Sequence, residues 1–144
     1  GPSRHGRLMP FRNIPALPQF SGSNTQDVAL PATTNTTVFT TASLAAGVWL
    51  VSMSMLVNSA TNNTSIEGRV QAGTATATFA GVQSCDVQLG TTNYGQVELN
   101  FIATITVAGT LILQANPGAA ATAHWNTSLQ TWPGSTGYTA IKIG

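Results

Sequence analysis

Charge is what this sequence has least of. Its 144 residues carry five Lys and Arg and four Asp and Glu, 6% in all, with a formal net charge of +1. A typical soluble domain is roughly 25% charged. Five cations cannot build the basic stripe of a nucleic-acid-binding surface, so no nucleic-acid partner is expected. A coiled coil needs Glu, Lys and Arg in quantity. Disorder of the usual kind combines low hydrophobicity with high net charge, whereas 42% of this chain is hydrophobic. Thr, Ser, Asn and Gln stand where charges would.

Cysteine, histidine and long apolar runs are scarce too. Cys85 alone excludes an internal disulfide. With it, His5 and His124 are too few for a Cys/His zinc site, and neither a metal nor another cofactor is expected. The longest apolar-leaning runs, 47–57 and 101–113, are broken by Ser or Thr. Both fall short of the roughly 20 residues of a membrane helix, so membrane insertion is not expected. No apolar stretch of the signal-peptide kind follows the opening GPSRHGRLMPFRN. Gly1-Pro2 reads as the scar of a cleaved tag. Whether Met9 is a natural start or the chain is a fragment stays open.

Proline is absent from residues 32–116 but concentrated at the start, where residues 1–34 hold five of the seven. The same stretch holds three of the four arginines, Arg4, Arg7 and Arg12. Proline fixes φ and removes a backbone donor, which excludes a helix or a central strand there. Leu8, Phe11, Ile14, Leu17 and Phe20 nevertheless recur between the prolines. Residues 1–30 are expected to form an extended arm, packing on its own domain or a neighbour, with an unstructured leader as the alternative.

What the rest of the chain has is alternation. In 48–57 the odd positions Trp49, Val51, Met53, Met55 and Val57 are all apolar, while the even ones mix Val48, Leu50 and Leu56 with Ser52 and Ser54. In 97–107 Val97, Leu99, Phe101, Ala103, Ile105 and Val107 alternate with Glu98, Asn100, Ile102, Thr104 and Thr106. A period of two over eleven residues suits a strand and not a helix. It directs Met53, Met55, Leu99, Phe101 and Ile105 inward and Glu98 and Asn100 outward. Further strands are expected at 38–44, 64–73, 84–89, 110–115 and 138–143. Ala108-Gly109 reads as a tight hairpin, and Ala46-Gly47, Asn62-Asn63 and Asn116-Pro117-Gly118 as turns. Short strands recurring about every ten residues imply an all-β sandwich or barrel spanning 31–144. Two-faced apolar strands at 48–57 and 97–107 demand more burial than one subunit supplies, which points to a homo-oligomer.

The stretches LPATTNTTVFTTASLAAGVWLVSMSMLV (30–57), QVELNFIATITVAGTLILQA (96–115) and GYTAIKIG (137–144) share an order of elements. A Thr-rich strand, an Ala-Gly turn, an apolar strand, a long late hairpin and a short closing strand follow one another. This order resembles the small jelly-roll domains of tailed-bacteriophage virions, found as head-decoration or head-fibre knobs and as minor tail proteins. Many of those resemble the tumour-necrosis-factor and complement globular-head sandwich. The resemblance covers about 28–144. It implies an antiparallel jelly-roll β-sandwich, a homotrimer, and a structural place on the phage particle surface. Under it the arm, with Arg4, Arg7, Phe11 and Arg12, docks to a capsid or tail protein. It carries no catalytic residues.

Motifs of catalysis are absent: there is no Gly-x-Ser-x-Gly and no His-Glu-x-x-His. A triad would require His124 with Asp27 or Asp86, and paired carboxylates could come only from Asp27, Glu67, Asp86 and Glu98. Asp86 is expected on a polar strand face, Glu67 and Arg69 as a weak surface pair, and Cys85 as a small buried hydrophobe. Asn-x-Ser/Thr triplets at Asn35, Asn62, Asn63 and Asn126 are what an Asn- and Thr-rich chain contains by chance. No enzyme is expected. Trp125, Trp132 and Tyr138, in and beside 124–138, carry the alternative reading. Flat aromatic faces with a polar handle suit a host receptor or surface glycan, or else a packing contact.

Overall fold

The two long alternating segments form the spine. β4 (Gly47–Asn58) pairs antiparallel with β8 (Tyr94–Val107), in register from Gly47↔Ile105 to Asn58↔Tyr94. Their odd positions face inward: Trp49, Val51, Met53, Met55, Leu99, Phe101 and Ile105 are all buried. Glu98 and Asn100 are exposed, as the alternation requires. Burying each such apolar side chain stabilises the fold by roughly 1.5–3 kcal/mol.

The computed structural model describes residues 16–90, 94–125 and 136–144. Around the spine lie β1 (Gln19–Ser23), β2 (Val28–Leu30), β3 (Thr36–Thr40), β5 (Thr64–Ala72), β6 (Thr76–Val82), β7 (Ser84–Leu89), β9 (Leu111–Pro117), β10 (Ala121–His124) and β11 (Gly137–Lys142). The larger sheet runs β6-β8-β4, and then the other edge of β4 takes β10 and β11 end to end. β2 and β1 flank those two in turn. The smaller sheet is β3-β9-β5-β7. Across both sheets the pairings are nested: β2 with β10, β3 with β9, β4 with β8, β5 with β7. That nesting is the double Greek key of a jelly roll, with β6 added at one edge of the larger sheet.

The core lies between the sheets. Ile66 and Val70 from β5 and Leu111, Leu113 and Ala115 from β9 face the inward side of the spine. Trp49 is fully buried, and its indole N–H donates to the Ala45 carbonyl at 2.9 Å. Phe79 meets Phe101 edge-on at 5.4 Å. Cys85 is half-buried against the core, and Asp86 points outward. Asn63 takes φ 56°, the left-handed turn conformation that Asn tolerates, in the expected Asn62-Asn63 turn.

Two expectations are corrected. Ala108-Gly109 is not a hairpin: β8 belongs to the larger sheet and β9 to the smaller. The chain turns a corner between sheets there. Gly109 and Leu44 exchange backbone hydrogen bonds at 2.8 and 3.0 Å. A Cβ on Gly109 would stand 2.4 Å from the Ala75 nitrogen, so the corner admits no side chain. The second correction concerns the arm. Residues 19–23 and 28–30 are strands at the outer edge of the larger sheet, so from residue 19 onward the chain is part of the sandwich. Pro18 and Pro31 bracket these strands, where the missing N–H costs no ladder bond. Phe20 packs on Trp49, with ring centroids 5.9 Å apart. Arg4, Arg7, Phe11 and Arg12 lie outside the described residues.

Candidate functional site

β10 and β11 behave as one strand interrupted once. His124 pairs with Leu56 of β4, and Gly137 rejoins the same edge at Ser54. Their partners β2 and β1 are interrupted at the same level, over residues 24–27. Side chains stitch this double break. The fully buried Thr136 hydroxyl accepts from the Leu56 N–H at 3.0 Å and donates to the His124 carbonyl. Asn24 N–H donates to the Thr136 carbonyl at 3.3 Å, and Asn24 Nδ2 donates to the Val38 carbonyl of the other sheet at 3.1 Å. His124 Nδ1 lies 3.1 Å from Asp27 Oδ2, and the Trp125 N–H donates to Asp27 Oδ1 at 3.2 Å. Trp125 and Thr136, the described residues on either side of 126–135, are thus held at the body of the larger sheet.

Of the three aromatic candidates, Trp125 stands half-buried at this break. Trp132 lies outside the described residues. Tyr138 turns into the sandwich, stacks on Phe39 at 5.8 Å, and accepts the Ala42 N–H at 2.8 Å. These contacts tie the two sheets together.

The hypothetical triad partners His124 and Asp27 do meet. The other ring nitrogen, Nε2, is 2.6 Å from Asn58 Oδ1, the place a serine nucleophile would need. The Tyr94 ring closes on the imidazole edge at 5.7 Å. The arrangement binds three chain segments together and leaves no free ring nitrogen for proton transfer. Glu67 and Asp86 stand opposite each other on the outer face of the smaller sheet, with Arg69 Nε 3.8 Å from Glu67. Such an exposed pair is worth at most about 1 kcal/mol. No group of three or more His, Cys, Asp or Glu fit to hold a metal ion occurs among the described residues.

Beside the break, the outer face of the larger sheet holds a polar hollow of about 250 Å³. Ser23, Ser52, Ser54, Glu98, Asn100 and Thr139 line it. The Ser52 hydroxyl donates to Asn100 Oδ1 at 2.7 Å, which leaves the Asn100 amide N–H groups directed elsewhere. Sequence reasoning did not find this hollow, because it is assembled from small polar residues on four strands.

The arm's root lies away from all of this. Pro18 accepts the Lys142 N–H at 2.8 Å, and Gln19 pairs with Ile141, opposite Leu50 of β4. From Leu50 to the break at Met55 is roughly 17 Å at about 3.3 Å per residue.

No protein-family model matches this sequence, and no curated protein matches it. Among solved structures the chain is similar to the D431N mutant VP2 protein of infectious bursal disease virus in derived T=1 particles, with a TM-score of 0.49 and 12% identity. The match covers 90% of this chain and 36% of that one.

Proposed function

We propose that this chain is a non-enzymatic structural component of a virus particle, a trimeric knob on the head or tail of a bacteriophage. The observation that carries this reading is the separation of two points on the larger sheet. Pro18 and Gln19 sit beside Leu50 near one end of the larger sheet, and Trp125 and Thr136 stand at the break roughly 17 Å further along. One end of the sheet can face the particle while the other faces outward. The nested strand pairing agrees with the jelly-roll resemblance in the sequence. In the arm, arginine forks suit bidentate contacts to carboxylates of a capsid or tail protein. Antibody-gold labelling or electron cryomicroscopy of the source particle tests this reading. Density for the sandwich on the head or tail is expected, and its absence from purified particles overturns it.

The polar hollow favours a second reading as a host-receptor or glycan contact at a tail tip. Hydroxyls, a carboxylate and a carboxamide close together match the alternating donors and acceptors of a saccharide. A glycan array separates the two: specific binding that Glu98→Gln abolishes supports the second, and a blank array removes it.

A further inference from the structure

We propose that the outer face of the larger sheet is a contact between copies of this chain. This names the surface that the proposed trimer would use, and rests on that reading only for the number of copies. The register sets Ala80, Ile102, Leu50 and Ile141 directly opposite one another on four adjacent strands. Val82 and Val48 lie on the same outward side, and Ile143, hydrogen-bonded to Val48, extends the row past β11. Leu50 is 48% exposed, Ile102 40%, Val82 51% and Ile143 49%. These four make up most of the large exposed hydrophobic residues described, and one face carries them all.

Three observations choose a second copy as the occupant. The first is charge. Glu67, Arg69 and Asp86 project from the smaller sheet, Asp27 sits at the break, and Lys142, opposite the inward Trp49, alternates to the other side of β11 from Ile141, so Glu98 is the charged group described on this face. A charged partner would lose hydration here with almost nothing to pair against. A second copy brings the same neutral Leu, Ile, Val, Ala and Thr. The second is area. β4 spans 12 residues, about 40 Å at about 3.3 Å per residue. β8 has 14 residues, β10 with β11 has 10, β1 with β2 has 8 and β6 has 7, which at about 4.8 Å between strands makes the face roughly 800 Å². A standard interface needs about 800 Å² per partner. The third is the adjoining edge. Among the described residues β6 pairs only with β8, and TATFAGV carries neither charge nor proline to discourage a neighbouring chain. The apolar row reaches that edge at Ala80.

Light scattering of the full chain at micromolar concentration, with a Leu50→Lys/Ile102→Lys double variant, tests this. The unaltered chain is expected at about three times 14.9 kDa. The variant is expected at the monomer mass, its association weakened at least roughly 100-fold because each lysine would be buried without a counter-charge. A monomeric unaltered chain overturns the inference, as does a folded variant of unchanged mass. Should the variant not fold, hydroxyl-radical footprinting of the unaltered chain decides. Leu50, Ile102 and Ile141 are expected to lose reactivity severalfold between nanomolar and micromolar protein, while the smaller sheet's outer face does not; equal rates overturn it. A multimer of another size that the variant dissolves keeps this face and removes the trimer. A multimer absent from particles keeps this face and removes the virion reading.

Discussion

Asp27 and His124 stand 97 positions apart in the chain and 3.1 Å apart in the fold. Asp27 also accepts the Trp125 N–H, so one carboxylate closes the break in two neighbouring strands. Its side chain is 40% exposed, which limits what the contacts are worth. Asp27→Ala is expected to cost about 1–2 kcal/mol by urea unfolding, the scale of hydrogen bonds to a charged group. A cost below about 0.3 kcal/mol would show the break to be held without it.

Thr136→Val keeps the shape and removes the hydroxyl between Leu56 and His124. Two backbone groups then lose their partner in a site with no solvent access. The expected loss is about 1–3 kcal/mol, with faster amide exchange at Leu56. Unchanged exchange there would mean that another group takes over.

The alternation in β8 separates two adjacent residues energetically. Phe101→Ala should cost roughly 3–5 kcal/mol as a large-to-small core change. Asn100→Ala removes an exposed contact to Ser52 and should cost under about 0.5 kcal/mol. Equal costs in denaturant titrations would contradict the inward assignment.

Gly109→Ala places a methyl group 2.4 Å from the Ala75 nitrogen and 2.6 Å from the Thr74 carbonyl carbon, and backbone cannot swing aside. A loss of about 1–3 kcal/mol is expected. Ala108 is exposed, and Ala108→Ser should leave the melting temperature unchanged. If both variants melt with the parent, the corner is looser than drawn.

Removal of residues 1–15 is expected to leave the sandwich folded and to abolish attachment to particles. Removal through residue 24 also takes β1, its pairing with β11 and the Phe20 contact on Trp49. That longer deletion should cost at least about 1.5 kcal/mol. Particle binding by the shorter deletion would move the docking surface onto the sandwich.

Much of the fold is written locally. Alternation in β4, β5, β7, β8 and β9 is visible in sequence because a strand has two faces and one of them is buried. β6 is not legible because in TATFAGV a single large residue, Phe79, stands among small ones and shows no repeat, and β2 and β10 are too short to display a period. Of the candidate site, the aromatic residues were legible by type. Tyr138's inward turn was not, since the residue it stacks on, Phe39, belongs to the other sheet.

By itself the sequence determined that this is an all-β chain, which residues of each long strand share a face, and that β4 has apolar side chains on both. These are properties of a period of two and need no partner. The tertiary structure decided which strands pair, and so that Ala108-Gly109 joins two sheets, that Asp27 reaches His124, and that Leu50 stands beside Ile102. Alternation says that a side chain faces inward or outward; it does not say what it faces, because pairing is settled by the shared burial of residues tens of positions apart.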